Sequence, residues 1–351
     1  MRDRLSSDLA GLALQDRILA GSRCKDSRRE IDQQRTGSAL ELPGRGISPD
    51  LALPDGGIRM NHEGVSLQFD WSTLGSESPA ALVDARILAH HAIQWVTKAA
   101  RANLEARPDD GHTCLEWNVA EGALLSQALP SQGGGVRVAL RLADLHLLIF
   151  RGAAVSDRFG LDAGTDSAAG SWIDARLREA GLKPASSVAL PYAVPHHSVA
   201  SGACYDAKDK SGALQELSRW YGAAAEVLEA VRARNSNLRP GPSPVRCWPH
   251  HFDIATLVLL GSGNPESARS IGVGLSPGDE SYPQPYVYVS PWPRFDGAGL
   301  PDLPPPGHWH TRGFFGAVAT AEEILSLAER GPGVTAFIDK AFEIGRARLG
   351  S

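Results

Sequence analysis

Leu82, Ala85, Ile87, Ala89, Ile93, Val96, Ala100 and Leu104 recur at close to the helical interval, which gathers apolar side chains on one face. The spacing predicts a helix over residues 79–106. Ser78 is its expected N-cap, and Pro79 sits in the first turn, where a missing N–H is harmless. A second stripe, Leu214, Leu217, Trp220, Tyr221, Ala224, Val227, Leu228 and Val231, predicts a helix over 212–234 that a Pro-rich segment ends. A shorter helix is expected at 171–182 with Gly181 as its C-cap. Two more are expected in 319–349, divided by Gly331, Pro332 and Gly333.

Elsewhere the period drops to two. Val136, Val138, Leu140 and Leu142 alternate with Arg137 and Arg141, the pattern of a half-buried strand. Residues 245–260 read as one strand, which puts His251 and Asp253 on one face and His250, Phe252 and Ile254 on the other. Tyr286 and Tyr288 oppose Val287 and Val289, and His308 and His310 oppose Trp309. Asp279 and Glu280 fall at a turn beside Gly278. The glycines at 133–135 read as a turn, since no helix or Lys-Ser/Thr follows to make a phosphate loop. Residues 151–169 read as a loop and 184–206 as a surface connector carrying His196 and His197.

These elements imply an α+β fold, with mainly antiparallel strands in one sheet system and long helices packed on it. A weak internal duplication is visible. Residues 114–119 can be laid on 247–252, VRVALRL on SIGVGLS, and DLHLLIF on YVYVSPW. The expected organisation is an extension at 1–59, an N-terminal half at 60–200, and a C-terminal half at 201–351 that carries the polar cluster. A single continuous domain over 60–351 is the alternative.

Composition narrows the partners. The chain is 42% hydrophobic and 21% charged, ordinary for a soluble globular protein. A net charge of −5 without a dense basic face argues against nucleic acid or an acidic membrane as main partner. No apolar run approaches the ~18 residues of a membrane span, and the N-terminus has no secretory core. Cys24, Cys114, Cys204 and Cys247 are far apart, which suggests neither a disulfide framework nor a cysteine-type zinc site. The cytoplasm is the expected compartment. Residues 1–59 are rich in charge, Ser, Gly and Pro and lack any sustained period, so a disordered extension is expected, either upstream of a natural start at Met60 or a genuine tail.

Candidate chemistry concentrates between Pro244 and Gly316. Imidazoles and carboxylates two apart on a strand can converge on one metal ion. The expected set is His251, Asp253, His308 and His310 around Zn²⁺, Mn²⁺ or Fe²⁺, with Asp279 or Glu280 as catalytic ligand or base. Trp248, Tyr286, Tyr288 and Trp309 are the expected walls for a small organic ligand. Histidine pairs also serve as hydrogen-bonding and stacking surface around apolar ligands. Cys247 and His146 read as structural rather than catalytic. The HExxH, GxSxG and GxxxxGK[ST] signatures are absent.

The stretches WPHHFDIATL, SIGVGLSPGDESYPQPYVYV and GHWHTRGFFGAV resemble uncharacterised bacterial proteins of the DUF5996 type. There a Phe-Asp strand, a Gly-Phe-x-Pro-Gly turn and a Tyr-rich strand occur in this order. Leu275-Ser276 stands here where Phe-Trp is common in that family. The resemblance spans residues 75–330 and implies a bacterial, cytoplasmic α+β protein without an assigned activity. The functional expectation is a metal-dependent enzyme acting on a small organic molecule. The alternatives are a non-catalytic small-ligand binding protein and a structural or partner-binding domain.

Overall fold

A computed structural model describes residues 69–131, 134–261, 268–295 and 297–350, together with the backbone of 58–59 and 68. The expected extension at 1–59 and start at Met60 lie outside the described residues, apart from that short strand. The elements run in this order: β1 (Ile58–Arg59), β2 (Gln68–Phe69), α1 (Leu82–Asn103), β3 (Glu116–Asn118), β4 (Ala123–Leu125), β5 (Val136–Arg141), β6 (His146–Arg151), β7 (Ala154–Gly160), α2 (Asp166–Glu179) and α3 (Ser211–Arg234). There follow β8 (Gly241–Pro242), β9 (Arg246–Trp248), β10 (Asp253–Leu259), β11 (Ser270–Ser276), β12 (Tyr286–Trp292), β13 (His308–His310), β14 (Gly316–Thr320), α4 (Ala321–Leu325) and α5 (Arg330–Arg348).

The fold is α+β with antiparallel sheets. The strands make two larger sheets rather than the expected single system. One is a five-stranded meander, β3-β4-β5-β6-β7; the other has seven strands in the order β13-β14-β12-β11-β10-β8, with β9 also on β10. The sheets are joined beside β3 and β9, where Leu115 and Cys247 exchange two backbone hydrogen bonds of 2.9 Å. One hydrophobic core runs through both halves. α1 packs on β5 and on α3, α3 on β10 and β11, and α5 on β12. Trp220, Tyr221, Leu88, Ile93, Val273 and Phe337 are among its buried members.

In strand order β3-β4-β5-β6-β7 can be laid on β9-β10-β11-β12-β14, each run preceded and followed by a helix, while β8 and the edge strand β13 have no counterpart in the first half. The segments matched by the duplication fall on corresponding strands: VRVALRL is β5 and SIGVGLS is β11, while DLHLLIF covers most of β6 and YVYVSPW is β12.

Three details depart from expectation. Residues 154–160 form strand β7 rather than loop; its side chains are exposed or half-buried, so no apolar alternation marks it. Gly331, Pro332 and Gly333 lie inside the first turn of α5, where proline is tolerated, and the break between α4 and α5 falls at 326–329. Residues 245–260 are two strands joined by a turn at 249–252, closed by Phe252 N–H donating to Trp248 O at 2.7 Å. Cys114 and Cys247 are free and buried. No described helix is long and apolar enough to cross a membrane.

Candidate functional site

The seven-stranded sheet has two unlike faces. Ile254, Val258, Ile271, Val273, Leu275, Val287, Val289, Ala317 and Ala319 point into the core. Strand parity sends the intervening residues outward. Cross-strand pairing aligns Ala255, Gly274, Tyr288, Val318 and His308 in one outer row, with Leu257, Gly272 and Ser290 in the next. Asp253 pairs with Trp248 at the margin. The tyrosines, histidines and Asp253 therefore share a face because of their register.

Tyr288 donates its hydroxyl to Asp253 Oδ2 at 2.5 Å, reaching across β11 to do so. Gly274 makes that reach possible. A Cβ there would stand 2.5 Å from Tyr288 Oη and 2.8 Å from Ala255 Cβ, too close for any side chain. Burial raises the Asp253 pKa above the ordinary carboxylate value, against the lowering effect of the Tyr288 hydrogen bond. Burial also raises the Tyr288 pKa, and the neighbouring Asp253 charge adds to it. The other carboxylate oxygen, Asp253 Oδ1, is shielded from solvent and has no hydrogen-bond partner among the described residues, although the residue as a whole is half-buried. Gly274→Ala is expected to cost about 1–3 kcal/mol of stability through overpacking. In a Tyr288→Ala background the cost should shrink, and an unchanged cost in paired denaturation curves would count against this geometry.

Along the sheet, Tyr286 donates to Asp279 Oδ2 at 2.5 Å, while Asp279 Oδ1 accepts the backbone N–H groups of Ser281 (2.7 Å) and Tyr282 (3.0 Å). With both oxygens occupied, Asp279 is a turn staple rather than a free base. Glu280 is exposed at the tip. Beyond it, the Tyr282 hydroxyl lies between His308 Nε2 (3.0 Å) and His310 Nδ1 (2.8 Å). His310 Nε2 faces the Arg312 carbonyl, which can only accept. With His310 neutral, its Nδ1 accepts from Tyr282, whose oxygen then accepts from His308 Nε2. His308 Nδ1 sits 3.0 Å from Glu323 Oε1 but off the line of a hydrogen bond. Phe314 stacks on His310 with centroids 4.1 Å apart.

At the opposite margin, the 249–252 turn is gripped by α1. His90 Nε2 (2.9 Å) and Gln94 Nε2 (3.0 Å) both meet Pro249 O, and Tyr192 donates to Gln94 Oε1 at 2.9 Å. Arg86, one turn earlier, donates to Gly278 O. Sequence reasoning did not single out Arg86 or Gln94, yet with His90 they are spaced four apart along one buried side of the helix. That polar stripe was the available signal. His250 and His251 sit in the turn with rings 4.3 Å apart, so strand parity does not govern them. Burial, aided by His251, pushes the His250 pKa down to about 4.

The expected four-ligand centre is thus divided. His308 and His310 come together on β13. Asp253 lies on β10 and His251 just before it, four strand intervals away, roughly 19 Å at about 4.8 Å each. No cluster of three or more His, Cys, Asp or Glu able to hold a metal ion forms among the described residues. The expected aromatic wall is also divided. Trp248, Tyr286 and Tyr288 face outward, whereas Trp309 packs on Phe315 from the other side and donates Nε1 to Pro301 O. No protein-family model, curated protein or solved structure matches the chain.

Proposed function

We propose that the protein binds a small organic molecule on the outer face of the seven-stranded sheet, with Asp253 as the anchoring acceptor and Tyr288 and Trp248 beside it. The carrying observation is the unpartnered, solvent-shielded Asp253 Oδ1. A buried carboxylate oxygen without a donor is costly, and a ligand ammonium, hydroxyl or amide N–H would relieve that cost. Tyr288 fixes the other oxygen, which leaves Oδ1 at a set position. The binding reading is preferred over a metal-dependent reaction because the residues that reaction needs stand at opposite margins of the sheet.

The test is a thermal-shift screen of small amines, alcohols and amides against wild type and Asp253→Asn. A ligand at about a hundred times its Kd stabilises by about 2.7 kcal/mol, a readily measured rise in Tm. The expected result is a set of compounds that stabilise wild type and lose most of that effect in Asp253→Asn. If no compound distinguishes the two proteins, the proposal fails.

A further inference from the structure

Where the two sheets meet, beside the Leu115–Cys247 bridge, lies a cleft of about 480 Å³. Both halves supply its walls: Arg107, Glu116 and Arg137 from one, Pro244, Arg246 and Trp248 from the other. Glu116 divides its carboxylate between two arginines, Oε2 to Arg137 and Oε1 to Arg246 at 3.0 Å. Arg137 Nε also donates to Ser126 O at 2.6 Å, and Arg246 Nη1 to Val245 O at 3.0 Å. These contacts fix both guanidinium groups. Arg107 is exposed, and its guanidinium makes no hydrogen bond or ion pair with any described residue. Asp109, the other acid of the cleft, has one oxygen held by Gly111 N–H at 2.9 Å.

Three guanidinium groups face two carboxylates, which leaves an excess of positive charge and of forked donors. Such forks match carboxylate and phosphate oxygens. The indole of Trp248 and the ring of Pro244 give the same cleft a flat apolar wall, suited to the body of an organic anion rather than to a bare ion.

We propose that this cleft binds a small organic anion, a carboxylate or phosphate ester with a flat apolar body, and that Arg107 closes on its charged end. The proposal shares only Trp248 with the site above and does not rest on Asp253. Two fixed arginines preorganise the anion position, so little ordering cost falls on them during binding. Arg107 is the part that moves.

The experiment is calorimetric titration of the full chain at low ionic strength with benzoate, phenyl phosphate and neutral benzyl alcohol. Saturable binding of benzoate or phenyl phosphate at one per chain is expected, with benzyl alcohol at least about tenfold weaker. The tighter anion identifies the preferred head group. Arg107→Ala should weaken that anion about tenfold, equivalent to about 1.4 kcal/mol, with Arg107→Lys between the two. Circular dichroism checks the fold of each variant, and Arg107→Gln serves if alanine perturbs it. Asp253→Asn should leave anion binding unchanged, which separates this proposal from the preceding one. The inference is overturned if neither anion binds, if benzyl alcohol binds as well as they do, or if every folded Arg107 variant binds like wild type.

Discussion

Lowering the pH from 7.5 to 4 is expected to remove roughly 3 kcal/mol of folding free energy through His90 alone. His90 is only 4% exposed, its ring stacked on Phe252 with centroids 5.1 Å apart and planes 10° from parallel. Burial pushes its pKa from 6.5 down to about 4; the Pro249 carbonyl opposes this, and the charges of His91, Arg86 and His251 reinforce it. Between these two pKa values the unfolded chain binds a proton that the folded chain refuses. Stability therefore falls as pH drops through this window and is fully present above 6.5. His250 acts in the same direction, but it is half-buried and solvent screening discounts its share. Denaturant titrations at pH 7.5 and 4 should show the loss, and His90→Gln should show much less of it. An equal loss in that variant would mean that other groups carry the acid sensitivity.

Phe252→Ala is expected to destabilise by about 3–5 kcal/mol, the usual cost of emptying a buried phenylalanine site. Phe252 is fully buried, touches the rings of His90 and Tyr221, and accepts the Tyr221 hydroxyl on its carbonyl. Its φ of 60° lies in the left-handed region, where a Cβ costs roughly 1–2 kcal/mol. Phe252→Gly should therefore be the milder change by about 1 kcal/mol, although it removes one carbon more. In a regular helix or strand the order would be reversed. A glycine variant less stable than the alanine variant in denaturant melts would show that the turn is not strained at this residue.

Phe252 also marks how far the chain could be read without coordinates. The α1, α3 and β5 elements were legible because each repeats one period long enough to outweigh local accidents. The β9–β10 hairpin was not, since every residue from Trp248 to Ile254 is compatible with extended backbone except at Pro249, and nothing in PHHFD announces a turn. That one turn decides which histidines share a face, so the parity argument failed at His250 and His251 while holding at Asp253, Tyr286, Tyr288, His308 and His310. Shared parity did not establish proximity, because strand order was hidden: β14 lies between β12 and β13, and two more strands separate β14 from β10. The Tyr282 bridge between the histidines was hidden too, since Tyr282 belongs to a turn and has no period.

The two hydrogen bonds between Leu115 and Cys247 have a consequence for assembly. Nearly every other strand pairing joins neighbours in sequence, and such hairpins close short loops. The bridge and the α1–α3 contact instead join distant parts of the chain, and closing so long a loop carries a larger entropic cost that only a nearly finished core can offset. Joining the two sheets is therefore an entropically costlier closure than pairing the hairpins within either of them.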